Sequence, residues 1–287
     1  MAHLSVLRIA GPDAITFLQG QVSNDTRRLA DGFPQLAAYS SAQGRVVAVL
    51  HLLPHSSGVM AILPREIALP TRDRLAKFVL RAKVRIEDLS DQYAVAGAYD
   101  ASALELGEAA GGRYLERDGA AVARLPDGAS GAPPRYWVVR PREAESGPRN
   151  GVAEQELAWR LADIRAGMPQ VYGATSEQFV AQMLNLDLLD AISFTKGCYT
   201  GQEIIARTQH LGRIKRRLSR LRLPAGSWAI GQPLRLADGR TGRLTEVVQV
   251  GEGYEALAVL SLEATAAGDG ESGAQTTSAE ELPLPYR

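Results

Sequence analysis

Three things that the chain lacks narrow the classes to which it can belong. It has one cysteine in 287 residues, so no internal disulfide can form, which fits a reducing compartment. Its 32 basic and 32 acidic residues cancel, so no net field attracts nucleic acid or a membrane surface. No apolar run approaches the ~20 residues of a transmembrane helix, and the first residues lack the features of a signal peptide. These absences predict a cytoplasmic protein.

Histidine is also scarce. The four histidines are His3, His51, His55 and His210. None has zinc-type spacing with Cys198, and His51 and His55 lie on either side of a proline rather than on one helix face. We therefore predict no metal site.

What the chain does have is one dense cluster of reactive side chains, Lys196-Gly197-Cys198-Tyr199-Thr200-Gly201-Gln202-Glu203. Thr200 and Glu203, three residues apart and just before apolar residues, predict a capping box at a helix N-terminus. Cys198 would then lie beside the positive end of that helix and two residues from the Lys196 amine, which favours a thiolate. The alternative left open is that Cys198 is a small buried apolar side chain and that Glu203 is only a cap.

The spacing of apolar residues predicts a mixed α+β protein. Short alternating runs predict strands within 4–9, 35–41, 46–53 and 59–63, with helical segments around them. A second set of elements begins near 93, and after 214 short strands linked by glycine turns predict a small all-β region. The stretch 264–281 is rich in small and acidic residues and has no basic one, so we expect it to be mobile.

A helix that begins near 152 carries Leu157, Leu161 and Ile164 at a spacing that predicts a core-facing stripe. Trp159 falls off that stripe, on a side that also carries Glu156. An indole there is either a chance exposed aromatic or part of a wall on which a flat ligand stacks. The spacing alone does not choose between the two interpretations.

The region between 207 and 222 holds seven basic residues and no acidic one: Arg207, Arg213, Lys215, Arg216, Arg217, Arg220 and Arg222. Such a run can hold the phosphates of RNA, or the carboxylates of a small acidic ligand such as the glutamate tail of folate. It can also be a solvated linker. No aromatic residues interleave the run as a stacking platform, which counts against RNA.

The eight-residue cluster resembles the signature of the YgfZ group of folate-binding proteins, which are relatives of the aminomethyltransferase (T-protein) of the glycine cleavage system. Eight successive residues of mixed chemistry are a far more specific match than a sparse pattern. Similar stretches at 11–25, 164–169 and 282–286 extend the likeness over most of the chain.

The resemblance implies a three-part α+β fold around a central folate-binding channel. Its parts are two α+β lobes, about 1–90 and 91–213, and a C-terminal β-barrel, 214–287. The implied cofactor is tetrahydrofolate or a derivative. At the channel the resemblance places Cys198 as a functional thiol with Lys196 beside it, and it implies folate contacts for Trp159, Tyr199, Gln202, Glu203 and Arg207.

The chain departs from these families at three places. The T-protein carries an acidic pair on the strand that here reads Ala48 and Val49, so no side chain at that place can accept or donate a proton. Arg165 stands where both families commonly have glutamate. A tryptophan that YgfZ proteins have near the N-terminus is missing from this chain, and its place falls close to Leu4.

The resemblance therefore implies a monomeric folate-binding accessory protein whose partners are iron-sulfur enzymes or their assembly factors. It would support cluster assembly or repair and, through those enzymes, tRNA modification. One alternative is a tetrahydrofolate-dependent aminomethyl or other one-carbon transferase, against which the lost acids count. Another is an RNA-binding module, against which the zero net charge counts. A single cysteine cannot hold a stable iron-sulfur cluster, so other ligands must come from elsewhere.

Overall fold

The structure, a computed structural model, describes residues 1–99, 114–125, 133–142, 152–210, 212–265 and 273–286. Within these ranges the chain forms three β-sheets and five α-helices. The first sheet contains β1 (Leu4–Ala10), β2 (Gln35–Ser40), β3 (Val46–His55), β4 (Gly58–Pro64) and β5 (Arg85–Asp88). Its strand order is β2-β3-β4-β1-β5, and every pairing in it is antiparallel.

Both faces of the first sheet are buried, because side chains alternate between its two sides. On β1, Leu7 and Ile9 join the main core of the protein, whereas Leu4 and Val6 pack towards the second sheet. The main core also takes in residues of α1 (Ala14–Gln19), α2 (Arg27–Ala30) and α3 (Arg65–Ala76). The first sheet is thus a layer between the helices and another sheet.

The second sheet contains β6 (Tyr93–Ala98), β7 (Tyr114–Arg117), β8 (Ala120–Arg124) and β9 (Tyr136–Pro141), in the order β6-β9-β8-β7. It packs on the first sheet through a second apolar cluster that includes Trp137 of β9 and Met60 of β4. Trp159 of α4 (Val152–Ala166) completes this cluster. A Cβ atom on Gly97 would come within 2.2 Å of the Trp159 ring, so glycine is required there for the helix to approach the sheet.

The third sheet contains β10 (Arg216–Leu223), β11 (Pro233–Leu236), β12 (Thr241–Val250), β13 (Gly253–Ser261), β14 (Gln275–Thr277) and β15 (Glu280–Leu282). Its order is β14-β11-β12-β13-β10-β15, and it occupies the place of the predicted C-terminal barrel. Strand β13 is buried on both sides: Ala256, Ala258 and Leu260 face the sheet's own small core, while Leu257 and Val259 belong to the main core.

The segment 264–281, expected to be mobile, contains strands β14 and β15, which pair with β11 and β10. Its acidic character has a structural explanation, because Arg222 binds Glu280 at 2.7 Å and Arg240 binds Glu281 at 2.9 Å. Residues 266–272 of the segment lie outside the described residues.

Helix α4 buries part of the stripe that its leucine spacing predicts, since Ile164 lies in the main core and Leu161 packs against that core. Leu157 is 47% exposed and Trp159 only 2%. The prediction fails at Leu157 because part of the interior side of this helix carries polar residues with ionic partners: Glu156 with His3, Arg160 with Glu246, and Asp163 with Arg135. Apolar periodicity cannot identify a buried face whose charges are paired.

The remaining helical elements are α5 (Gln202–His210) and a short 3-10 helix, Ala181–Leu184. Among the described residues, no helix has both the length and the apolar character to cross a membrane. In the same ranges, no group of histidine, cysteine and acidic side chains is arranged to hold a metal ion.

Candidate functional site

Cys198 is exposed and lies in an irregular stretch before α5, which we call the thiol segment (residues 190–201). This segment runs along the N-terminal loop (residues 20–24) and is tied to it by backbone hydrogen bonds. The Ser193 amide donates to the Ser23 carbonyl oxygen at 3.0 Å, and the Thr200 amide donates to the Gly20 carbonyl oxygen at 3.3 Å. The thiol is therefore presented at the surface by a segment whose two ends are attached to the same loop.

Lys196 anchors the thiol segment to the N-terminal loop. Its side chain is 5% exposed, and its Nζ donates to the carbonyl oxygens of Val22 at 2.8 Å and Asn24 at 2.7 Å. The ammonium also lies 4.9 Å from the centre of the Tyr199 ring. Burial lowers the pKa of Lys196 to about 8, against a smaller opposing effect of Asp25. The hydrogen bonds of this amine thus go to backbone carbonyls of the N-terminal loop, and they hold the thiol segment against that loop.

Tyr199 lies beneath this amine in a mostly apolar environment. The side chain is buried, and burial raises the pKa of its phenol to about 12. The ring belongs to the main core. Tyr199 therefore packs the motif onto the protein rather than presenting a hydroxyl at the surface.

The predicted capping box does not form, because the helix begins two residues after Thr200. Helix α5 starts at Gln202, and Gly201 before it has a left-handed backbone with φ of +82°. At this end of the helix, Gln202 Oε1 accepts a hydrogen bond from the Tyr199 amide at 3.2 Å. Thr200 thus lies one position too early to cap the first turn. Glu203 is exposed on that turn.

Gly201 has a second role, which is to let the thiol segment approach the turn between β2 and β3. A Cβ atom on Gly201 would lie 2.6 Å from the Ser41 carbonyl oxygen and 3.0 Å from the Gly44 Cα. Gly44 in turn has φ of +69°, and a Cβ there would lie 2.7 Å from Ile204 of α5. The two glycines face each other, so the motif docks on this turn only with both present.

The strand that follows that turn carries no acid at the place where the T-protein has its pair. Ala48 and Val49 are both 0% exposed and belong to the main core. Apolar side chains at this depth offer no proton acceptor to a bound substrate.

A cavity of about 350 Å³ lies between the edge of the first sheet and the second sheet. This volume is within the range of roughly 300–1,000 Å³ that is usual for small-molecule sites. Its lining comes from β2, β3, β8 and β9 and from the start of the thiol segment: Arg28, Pro34, Gln35, Leu36, His51, Leu52, Leu53, Ala123, Arg124, Leu125, Trp137, Leu189 and Asp190.

The cavity wall contains buried polar atoms without a partner. Within the described ranges, both amide atoms of Gln35 and the Nε1 of Trp137 are shielded from solvent and make no hydrogen bond. Leaving one such group unpaired costs about 1–3 kcal/mol, which a polar ligand can offset. These atoms expose no surface to the cavity, so a ligand can pair with them only if their side chains turn towards it.

A histidine and a buried ion pair support this wall. His51 packs edge-on against Trp137 with ring centres 5.5 Å apart and lies 3.3 Å from the Gln170 amide nitrogen. Burial, and then the positive charge of Arg135, lower the pKa of His51 to about 3, so the imidazole is neutral. Arg135 binds Asp163 at 2.5 Å, and burial raises the pKa of Asp163 to about 6 against the opposing effect of Arg135.

The structure separates the predicted site residues into two places. Trp159 is buried one layer behind Trp137, at 4.9 Å between ring centres, and it does not line the cavity. The other predicted site residues belong to the thiol segment and to α5, and none of them lines the cavity either: Lys196, Cys198, Tyr199, Gln202, Glu203 and Arg207. Sequence reasoning missed Gln35, His51 and Trp137. No motif in the sequence marks Trp137 as a site residue.

At least four of the seven residues in the basic run are ion-paired to acids from other elements: Arg213 with Glu263, Arg217 with Asp187, Arg220 with Glu255, and Arg222 with Glu280. Glu255 also binds Arg165 at 2.7 Å, so the arginine that replaces the family's glutamate joins α4 to β13. Arg207 is exposed on α5. The run is thus largely neutralised within the protein, which weakens its interpretation as an RNA-binding surface.

Comparisons with known proteins give consistent results. No family model matches the chain. A protein of Edwardsiella ictaluri named tRNA-modifying protein YgfZ is 33% identical over 285 residues, covering 89% of this chain and 81% of its own length. The protein of that name from Cronobacter sakazakii is 31% identical and is covered over 89% of its length. A third, from Pectobacterium carotovorum, is 34% identical over 219 residues, and the match spans 65% of its length.

Among solved structures, the aminomethyltransferase T of the glycine cleavage system from Bartonella henselae has a similar fold, with a TM-score of 0.60. The alignment covers 100% of this chain and 84% of that protein at 15% sequence identity. At this identity the likeness shows the arrangement of elements and not the chemistry.

Proposed function

Because this chain belongs to the YgfZ family, we propose that it binds a tetrahydrofolate derivative and supports the assembly or repair of iron-sulfur clusters in client enzymes and, through them, tRNA modification. The observation that carries the folate part is the cavity between the first two sheets. The proposal keeps the division predicted from the sequence, with two lobes up to 213 and a C-terminal domain from 214.

The chemistry of the cavity wall suits a pterin with an acidic tail. Trp137 is 2% exposed and forms part of the cavity floor, against which a flat heterocycle can pack. The Gln35 amide would supply a donor and an acceptor for the polar edge of such a ring by turning towards the cavity. Arg28 and Arg124 also line the cavity, and Arg28 binds Asp190 at 3.2 Å, so a carboxylate of the ligand would take the place of that partner. The folate contacts proposed here are therefore different from Trp159 and Arg207, which lie elsewhere.

The fold likeness to an aminomethyltransferase favours a second candidate, a folate-dependent one-carbon transferase. Ala48 and Val49 argue against it, because neither can move a proton and both are sealed in the core. We expect the purified protein to show no aminomethyl transfer with a lipoyl carrier protein, ammonia and tetrahydrofolate. Turnover at the rate of a T-protein in that assay would make the second candidate the better one.

Cys198 has a role in this proposal that needs a partner. An exposed thiol can exchange with another thiol or bind iron transiently, but one cysteine cannot hold a cluster alone. The remaining ligands come from a client protein or a small thiol. In cells that lack the endogenous relative, we expect Cys198→Ser to accumulate normally and to fail to restore iron-sulfur enzyme activity.

Calorimetric titration with tetrahydrofolate and with folate tests the cavity directly. Trp137→Leu should weaken binding by about tenfold or more, because the substitution removes part of the cavity floor and a loss of about 1.4 kcal/mol of ligand contact corresponds to that factor. Trp228→Leu is the matched control, since Trp228 is also buried but belongs to the core of the third sheet. Absence of binding of any folate to the wild-type protein would refute the proposal.

A further inference from the structure

Asn24 of the N-terminal loop touches both the cavity wall and the thiol segment. Its side-chain amide nitrogen donates to the carbonyl oxygens of Leu36 at 2.9 Å and Asp190 at 2.7 Å, and both of these residues line the cavity. Its own carbonyl oxygen accepts the bond from Lys196 Nζ at 2.7 Å. The side chain of this buried asparagine therefore binds the cavity wall, and its backbone carbonyl oxygen binds the lysine of the cysteine motif.

Ser23 makes a parallel connection one residue earlier. Its hydroxyl donates to the Ala191 carbonyl oxygen at 2.6 Å and accepts from the Ala38 amide at 2.8 Å. Its carbonyl oxygen accepts from the Ser193 amide. Ala38 and Ala191 lie behind the wall rather than in the cavity lining. Because these buried groups are bonded on each side, the connection between wall and thiol segment is stiff.

We propose that Asn24 is a positioning residue that couples occupancy of the cavity to the reactivity of the Cys198 thiol. This inference rests on the proposed function, because the occupant is the folate-like ligand argued above. A ligand against Leu36 and Asp190 fixes the two carbonyl oxygens that Asn24 binds. With them fixed, the carbonyl of Asn24 cannot move, and it holds the ammonium of Lys196, two residues before the cysteine. With no ligand, the wall and the thiol segment move together.

The test uses the fact that the chain has a single cysteine, so that alkylation by iodoacetamide reports on Cys198 alone. Saturating tetrahydrofolate should slow alkylation of the wild-type protein by about three- to tenfold, the equivalent of about one hydrogen bond. In Asn24→Ala the ligand-free protein should react faster, and ligand should no longer change the rate although calorimetry still shows binding.

Thr26→Val is the matched control. Thr26 is also fully buried and lies two residues further along, but its hydroxyl bonds to Ile15 and Gln19 rather than to the wall or the thiol segment. This variant should keep the ligand effect. An unchanged alkylation rate in wild type with bound ligand, or an effect that persists in Asn24→Ala, overturns the inference.

Two further measurements separate the possible failures. If the wild-type protein binds no folate, the proposed function fails, and the coupling is judged without ligand from a double-mutant cycle of Leu189→Ala in the wall and Asn24→Ala. If the two substitutions change the logarithm of the alkylation rate additively, the coupling is contradicted; a non-additive change supports it.

If Asn24→Ala does not fold, hydrogen exchange of the Ser193 and Thr200 amides in wild type replaces it. Ligand should slow that exchange, and no change counts against the inference.

Discussion

The N-terminal loop and the cavity wall both bury polar side chains, but they treat them in opposite ways. Around the loop, the Lys196 amine and the Asn24 amide each make two hydrogen bonds to backbone carbonyls. On the cavity wall, the Gln35 amide and the Trp137 indole make none within the described ranges. A bonded buried group fixes a structure, whereas an unbonded one leaves a cost that a ligand can remove. The first region is therefore a support, and the second is the place where we propose that a ligand binds.

The largest effect should come from breaking the docking of the thiol segment at Gly201. Gly201→Ala combines a left-handed backbone with a contact of 2.6 Å to the Ser41 carbonyl oxygen. We expect a loss of about 2–5 kcal/mol in the free energy of unfolding, measured with urea. Gly197→Ala, in the same motif, is the control, because a Cβ there meets nothing within 4 Å. Equal losses in the two variants would contradict this account of the motif.

Removing the anchoring amine should have the next largest effect. Lys196→Met leaves the carbonyl oxygens of Val22 and Asn24 buried and without this donor, at a cost of about 2–3 kcal/mol in the free energy of unfolding. Lys215→Met changes the same charge at an exposed position and should cost less than about 0.5 kcal/mol. If Lys196→Met is as stable as wild type, the loop is not supported in the way described.

The ion pair behind the cavity wall predicts a dependence on pH. Because burial raises the pKa of Asp163 to about 6 from 3.8, the folded protein binds this proton more tightly than the unfolded chain. The resulting stabilisation is complete below about pH 4 and is lost as the pH rises through 6. Between about pH 4 and pH 7, the free energy of unfolding of wild type should therefore fall by about 1–3 kcal/mol relative to that of Asp163→Asn, which does not titrate there. A difference that is constant with pH would contradict the shift.

The smallest expected effect is also the most direct contrast between the two regions. Gln35→Leu replaces an unbonded buried amide with an apolar side chain, so the free energy of unfolding should change by less than about 0.5 kcal/mol or rise, while folate affinity falls. Asn24→Leu replaces a bonded amide and should lose about 2 kcal/mol or more. Equal stability losses in the two variants would show that the regions do not differ as described.

The difference between the regions also explains what the sequence could reveal. The thiol motif is contiguous, so its resemblance to a family could be read directly, and the predicted α+β fold and family are confirmed. The cavity is assembled from residues as distant as Gln35, Trp137 and Asp190, which only the pairing and packing of the sheets brings together. The partners of Lys196 are backbone carbonyls, which no pattern of side chains displays.

Two errors in reading local pattern have the same origin. Apolar spacing does not predict the exposure of Leu157, because paired charges on Glu156 and Asp163 occupy part of the interior side of α4. The capping box was misjudged because Gly201 delays the start of α5 to make room for the turn at Gly44. In both cases a contact with a distant part of the chain overrides a local preference.

Strand β13 belongs to two cores at once, and this has a consequence for how the molecule comes apart. Its Leu257 and Val259 complete the main core, while Ala256 and Leu260 complete that of the third sheet. Unfolding of the third sheet would expose apolar residues of the main core to water, so neither region can unfold while the other stays intact. A single calorimetric transition follows, despite three sheets, and a fragment that ends at residue 213 should be recovered as aggregate rather than as an independent lobe.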